Sequence, residues 1–478
     1  MASGRFAPGH LGELTQIVPF DLVDAVLSET GTVEQRLRLL PSRVGIYFLL
    51  AMGLFPNLGY GLVWGKLTAG LKGMAVAAPR LKALRDLRRR IGPAPVRALF
   101  HILAGPLAQP TTPGVRFGRY RTVSFDGCTS QKAPDTQRNR AWLGKDKGAG
   151  YPRLELMTLV ETGTRGLLGA VFGPTAEGET SYASKLLHLL DNTMLVLWDR
   201  GFDSGDFIAQ VTATGAQFLG RCKANRRLPV VTRLPDGTWH SRIGDVTVRI
   251  VEAVITVTCA DGTTFTATYR LATSLLDHRR YPAAALIALY HERWEHESAY
   301  YALRHTIMDG RVLRSGDPAG LRQEMWALLT LYQIIRTAMV TAVESVAGTD
   351  PDRASFTVAL TAARDTVTGA AGVITDTVDL VGDIGREVLA NLLPDRRPRV
   401  STRKVKCPLA RYAARQDDGR PLTSQNVTKL TIIVYDPDSN THPTPNTLPR
   451  TGNPRSPNPR PRQRRKPRPQ VLTTARGP

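Results

Sequence analysis

The spacing of apolar and polar positions changes rhythm several times along the chain, and each change predicts a different kind of element. Up to about residue 118 the apolar positions recur at helical spacing, in "IVPFDLVDAVLSE" and "RVGIYFLLAMGLF", while "LKALRDLRRRIG" gathers basic residues on one face. A small helical domain over 1–118 follows. From about 119 short strands take over: "RTVSFDGC", "RLELMTLVE" and "GLLGAVFGP", then a helix in "ETSYASKLLHLL", a strand "TMLVLWD", a helix near "SGDFIAQVTATG" and a strand "QFLGRCK". Strands followed by alternating helix and strand predict an α/β domain over 119–395, a mixed sheet covered by helices.

Between about 228 and 273 the period drops to two, in "LPVVTRL", "GTWHSRI", "VTVRIVEAVITVTC" and "TTFTATYRLAT", with turn pairs Asp236-Gly237 and Asp261-Gly262 between strands. An all-β insertion in the α/β domain is the reading. Helices resume in "PAAALIALYHERWEHESAYYALRHTIM" and "LRQEMWALLTLYQIIRTAMV" and continue in two weaker segments to about 392. A C-terminal extension occupies 396–440. The last stretch, 441–478, contains "NPRSPNPRPRQRRKPRPQ", too poor in apolar residues to bury a core, and is expected to be a disordered basic tail.

Charge sharpens the picture. With 63 Lys and Arg against 41 Asp and Glu, the 478-residue chain carries a formal charge of +22. A polyanion is the partner such a balance suggests. From Asp395 onward, 19 basic residues face 5 Asp, so +14 of that excess is C-terminal, and the rest of the chain is still basic. The tail is then either a flexible arm acting through counterion release or a solubilising extension, and the N-terminal basic face either touches DNA or is simply solvated. Cys128, Cys222, Cys259 and Cys407 show neither CxxC spacing nor His pairing, which argues against a zinc site or a disulfide framework and for a reducing cytoplasm. The longest apolar run, Val44 to Phe55, is shorter than the roughly 20 residues that span a bilayer and reads as a core helix. No secretion signal pattern opens the chain, so no membrane partner is expected.

Candidate chemistry lies at three acids. In "VSFDG" Val123 and Phe125 take one face of a strand, Ser124 and Asp126 the other. Asp199 ends the apolar strand "LVLWD". Two acids at strand ends of one sheet can meet at its rim, although an Asp-Gly pair alone usually makes only a turn. In "YHERWEHESAYYALR", Tyr290, Arg293, Glu297 and Arg304 stand at offsets 0, 3, 7 and 14, within an arc of roughly 60° on a continuous helix. Trp294, Tyr301 and Met308 fall near the same arc, which points to a cleft. Converging carboxylates repel one another unless cations sit between them, and hard ions such as Mg²⁺ favour oxygen ligands. Such a set suits in-line displacement at a phosphodiester. His291, His296 and His305 are spaced onto different helix sides and form no metal set.

The blocks "FDGCTSQKAPDTQRNRAWLG", "LWDRGFDS" and "YHERWEHESAYYALR" resemble the three acidic blocks of the DDE transposases of the insertion sequence four family. The third is similar to that family's signature of Tyr, two residues, Arg, three residues, Glu, six residues, Lys, with Arg304 standing where Lys is usual. The N-terminal "GHLGELTQIVPFDLVDAVL" and the stretch "CKANRRLPVVTRLPDGTW" resemble other parts of that family, so the likeness covers all but about the last 40 residues. The resemblance implies an RNase H-like catalytic core in which Asp126, Asp199 and Glu297 hold two Mg²⁺ or Mn²⁺ ions. It also implies nicking of element ends, a 3′-hydroxyl that forms a hairpin or joins target DNA, and phosphate contacts from Tyr290, Arg293 and Arg304.

By the same resemblance, Trp239 is a candidate platform for a base drawn out of the duplex; a packing residue of a hairpin is the other reading. Lys223, Arg226 and Arg227 form a basic cluster entering the insertion, on DNA or in solvent. Arg200 neutralises phosphate or makes a structural ion pair. The partners implied are double-stranded DNA, both terminal inverted repeats and target, and a second copy when assembled on DNA, in the cytoplasm at the nucleoid. Two other functions remain open at this point: a transposase-derived DNA-binding protein that no longer cuts, and a metal-dependent nuclease.

Overall fold

The computed structural model describes residues 7, 9–36, 38–144, 150–291, 295–372, 379, 381–394, 399–400 and 425–434, with 130, 291, 295–297, 399–400, 425–427 and 430 described by backbone alone. By contacts the chain divides into a compact unit, Met1–Thr441, and His442–Pro478. The basic tail predicted over 441–478 lies outside the described residues.

Helices α1 (Phe20–Glu29), α2 (Ser42–Leu54), α3 (Tyr60–Thr68), α4 (Leu81–Ile91) and α5 (Ala94–Leu103) open the chain. The apolar run in α2 is buried nearly all round, as a core helix requires. These helices do not pack among themselves alone. They share one apolar core with the C-terminal helices α11 (Pro318–Glu344), α12 (Phe356–Gly369) and α13 (Gly382–Ala390). Helix α11 has the length and hydropathy of a membrane span, but 89% of its apolar window is buried in protein, so it is the axis of this core. Polar side chains on it bind its neighbours: Gln323 donates to the carbonyls of Arg88 and Gly92, and Gln333 donates to that of Leu103 while accepting from Leu167 N–H. Buried amides are kept only where both ends are satisfied, and here they fix how the N-terminal helices sit on α11.

The sheet is mixed. Its strands are β1 (Arg116–Phe117), β2 (Tyr120–Lys132), β3 (Arg153–Glu161), β4 (Leu167–Pro174), β5 (Met194–Trp198) and β6 (Gln217–Arg221), with helices α6 (Gln137–Leu143), α7 (Glu179–Ser184) and α8 (Gly205–Ala213) between them. The insertion adds β7 (Thr232–Arg233), β8 (Trp239–Ile243), β9 (Val246–Cys259) and β10 (Thr264–Thr273). Strand order runs β4-β3-β2-β5-β6-β10-β9, with β2, β5 and β6 parallel and the remaining pairs antiparallel. The predicted α/β mixed sheet with N-terminal helices is therefore present. The β insertion is not a separate layer, because Leu271–Thr273 of β10 pair with Leu219–Arg221 of β6 and carry the main sheet onward.

Helix α9 (Ala283–His291), helix α10 (Glu295–Tyr301) and a π turn (Ala302–Ile307) follow the insertion. Part of the C-terminal extension also has a place: β11 (Arg399–Val400) pairs with β12 (Gln425–Val434), and β12 lies antiparallel on β9. Residues 401–424 and 435–440 of that extension are outside the described residues. Strand β5 shows how the sheet is held. Val196 and Trp198 enter one core, with Phe125 and Phe207, whereas Leu195 and Leu197 enter another, with Leu286 and Ile287. Both faces are covered, so every residue from Met194 to Trp198 is buried.

Candidate active site

Strands β2 and β5 run parallel in the register Val123↔Val196 and Ser124↔Leu197. Carried two residues further, that register sets Asp126 beside Asp199, on strands whose spacing is about 4.8 Å. Asp126 is half-buried at the point where β2 emerges from the core, and one of its carboxylate oxygens accepts from Gly127 N–H at 2.9 Å. Asp199 caps the short turn Arg200–Phe202, accepting from Gly201 N–H at 2.7 Å. Both acids line one cleft of about 770 Å³.

Glu297 lies on α10, and its side chain is outside the described residues, as is Arg293 altogether. The helix itself is tied to β2 by Tyr300, one turn after Glu297. The Tyr300 hydroxyl donates to the Asp126 carbonyl at 2.5 Å and accepts from Thr158 Oγ1 at 3.0 Å. Burial, and then the negative charge of Asp126, hold the Tyr300 phenol well above its ordinary range, so it stays a neutral donor.

A further acid, unforeseen in the sequence, reaches the same cleft. Glu179 opens α7, and two glycines make room for it: a Cβ at Gly127 would lie 2.9 Å from Glu179 Cγ, and one at Gly201 would lie 2.8 Å from Asp199 Oδ1 and 3.4 Å from Glu179 Oε2. Larger residues at either position would collide with the carboxylates. Among the described residues no group of three or more His, Cys, Asp or Glu stands close enough to hold a metal ion, and that description omits the Glu297 carboxylate.

The predicted basic and aromatic contacts separate into three groups. Arg200, Lys223 and Arg304 are exposed and line the cleft with Asp126 and Asp199. Arg226 instead forms an ion pair with Asp203 at 2.7 Å and also donates to the Asp203 carbonyl. Since Asp203 also accepts from Lys223 N–H, Arg226 braces the loop that presents Lys223. Arg227 is exposed but away from the cleft lining.

Two aromatic expectations are overturned. Trp239 is 8% exposed in the core beneath β8, opposite Ile250, and offers no free face for a base. Tyr290 is 4% exposed, its ring edge-on to Tyr269 at 5.7 Å, so it packs α9 against β10 instead of reaching phosphate. The helical arc assumed one continuous helix, whereas α9 ends at His291, α10 begins at Glu295, and Arg304 sits in the π turn. Met308, near the same arc, is buried as well. Tyr301 and His305 line the cleft instead. Tyr300 and Tyr301 share a helix about 100° apart, so only a correct helix phase could have told which one turns inward.

Comparison with known proteins agrees with this arrangement. Residues 8–101 match the family model described as insertion element 4 transposase N-terminal, and residues 118–334 match the transposase DDE domain. The chain is 26% identical over 358 residues to the transposase InsG for insertion sequence element IS4 of Escherichia coli K12, covering 70% of this chain and 78% of that one. It is also 27% identical over 156 residues to the putative transposase y4zB of Sinorhizobium fredii, covering 30% and 42%. A solved chain from the piggyBac transposase synaptic complex with hairpin DNA overlaps at a TM-score of 0.42 with 10% identity, over 83% of this chain and 90% of that one. With its N-terminal segment and its DDE domain both matched in order, this chain belongs to the insertion sequence four family of DDE transposases.

Proposed function

We propose that this transposase binds the terminal inverted repeats of its element, nicks them, and transfers the freed ends in a reaction supported by divalent metal. One observation carries the reading: neighbouring parallel strands end in Asp126 and Asp199 at one cleft, and the helix bearing Glu297 is anchored to the Asp126 carbonyl through Tyr300. The sheet order β4-β3-β2-β5-β6, with β2, β5 and β6 parallel, supports an RNase H-like core.

The donor set suits a hard cation, being carboxylate oxygens that emerge from apolar strands into an open, water-filled cleft. Asp126, Asp199 and Glu297 would hold two Mg²⁺ or Mn²⁺ ions, which when bound withdraw charge from the phosphate and steady the attacking and leaving oxygens. Arg200, Lys223 and Arg304 neutralise the DNA backbone as it enters, and Arg226 keeps Lys223 in place. Water adds to phosphorus and the 3′ oxygen leaves with a proton, giving a 3′-hydroxyl and a 5′-phosphate. That hydroxyl then attacks a second phosphodiester, either on the opposite strand to close a hairpin or in target DNA. Because two element ends react together, a dimer on DNA is the working form, acting in the cytoplasm at the nucleoid.

The test uses linear DNA carrying the element's inverted repeats, Mg²⁺, and wild-type protein beside Glu297→Gln. Wild type should nick at the repeat boundary and proceed to a hairpin or joined product, whereas the variant should still shift the DNA on a gel. Wild-type binding without cleavage would mean a transposase that has retired to DNA binding. Hydrolysis without joining would mean a nuclease.

A further inference from the structure

We infer that Tyr301 is a stacking platform for an unpaired nucleobase held beside the scissile phosphate, a role that rests on the transposase reading above. Large aromatic side chains in the described residues are mostly buried, yet Tyr301 is 63% exposed, against 48% for Tyr151 and 38% for Phe20. It alone of the three lines the cleft that holds Asp126 and Asp199. Nor is it a loose surface ring. Its neighbour Tyr300 is buried and hydrogen-bonded to the Asp126 carbonyl, which fixes the backbone of Tyr301 relative to the acids.

His305, four residues on, lies with its ring centroid 5.0 Å from that of Tyr301 at an interplanar angle of 34°, backing the phenol ring. The π turn from Ala302 to Ile307 carries this pair, and such turns recur where a helix must present side chains at a site. Around the ring stand Arg200, Lys223 and Arg304, the cations a nucleotide's phosphate needs. A base laid on Tyr301 would therefore have its π face met by the phenol and its phosphate met by cations, without hydrogen bonds that read its identity. The chemical class is any unpaired nucleotide at a DNA end, and the preference should be tolerant of base type. With Trp239 sealed in the core, Tyr301 supplies the aromatic face the cleft offers.

The experiment compares metal-free binding of two probes: a blunt inverted-repeat duplex, and the same duplex with its terminal nucleotide unpaired. Wild type should prefer the unpaired probe by roughly tenfold, the scale of one base stacked on an aromatic ring. Tyr301→Phe should keep that preference. Tyr301→Ala should lose it while binding the blunt duplex within about twofold of wild type, and an abasic unpaired nucleotide should remove it from wild type too. Equal preference in wild type and Tyr301→Ala, or none in wild type, overturns the inference, even if wild type nicks and joins ends normally. Failure of wild type to bind either probe would overturn the transposase reading as well.

Discussion

Two regions of the molecule deliver the acids, and they are secured in opposite ways. Asp126 and Asp199 stand on adjacent strands whose ladder and double-sided burial leave no freedom of register; a slip of one residue would turn Val123 and Val196 out of their core. Glu297 rides on a seven-residue helix between an interruption and a π turn, tied to the Asp126 strand by the Tyr300 hydroxyl. The sheet thus places two acids by many small interactions, the helix its one by few. Damage to the strands should therefore appear as lost stability and damage to the helix as lost rate.

Tyr300→Phe is the sharpest way to break that comparison. It removes one oxygen and leaves the buried Thr158 hydroxyl and the Asp126 carbonyl short of a partner, a cost of about 1–3 kcal/mol. We expect single-turnover nicking to fall about tenfold, which is about 1.4 kcal/mol of transition-state stabilisation, with DNA affinity unchanged. Val196→Ala, a deletion in the fully buried β5, should lower Tm by a similar amount and leave the nicking rate of the folded protein within about twofold. Equal rates for the two variants would show that the hydroxyl does not set the position of the helix. The phenol also gives a pH signature. Its folded pKa lies above its unfolded value near 10, so its contribution to stability is complete below pH 10 and is lost as pH rises through that value, while the unfolded chain ionises and the native one does not. Denaturation of Tyr300→Phe should therefore be less sensitive to pH above 10 than that of wild type.

That contrast also explains what could be read in the sequence. The strands were legible because alternation and apolar runs are local: "VSFDG" and "LVLWD" each display their burial and their terminal acid within a few residues. Trp239, too, carried its own answer, since Trp239, Ser241 and Ile243 are the buried alternates of β8, with His240 and Arg242 turned outward. Trp239 was assigned by likeness to a family, and local period two contradicted it. By contrast, β12 pairs with β9 across about 170 residues, a partnership no local pattern announces. Tyr290 and Arg304 were misplaced because a phase carried along one helix fails at an interruption and again at a π turn. Glu179 looked like an ordinary first-turn acid of α7; what brings it to the cleft is the absence of side chains at Gly127 and Gly201, far away in sequence.

Glu179→Gln should have a smaller effect than Tyr300→Phe. Among the described residues no Lys or Arg forms an ion pair with Glu179, so its charge is left to act on the cleft near Asp199. A unit charge about 4 Å from a monovalent partner in water contributes about 1 kcal/mol, so the Mg²⁺ concentration for half-maximal nicking should rise by up to about fivefold. Manganese calorimetry should show the same weakening without reference to turnover. An unchanged titration would place Glu179 as a spacer between α7 and the strand ends, leaving the strand-borne acids to hold cations without its help.

The smallest effect should come from Arg304→Lys, which restores the residue usual at that place in the family signature. Arg304 lies in the π turn, where each turn takes more residues than an α-helix, so its side chain leaves the helix at a different angle from the one a regular helix would give. A planar guanidinium with five donors can meet a phosphate from that displaced origin in two ways at once, whereas an ammonium is a point charge on a flexible stem. Because both carry one positive charge, the salt dependence of DNA binding should be the same for the two, and nicking should fall by no more than about threefold. Arg304→Ala, by comparison, should lower the slope of log affinity against log salt by about one, as loss of one phosphate contact requires. If Lys and Ala prove equivalent in slope and rate, Arg304 touches no phosphate, and the helical region's share of the site narrows to Glu297 and the tyrosines beside it.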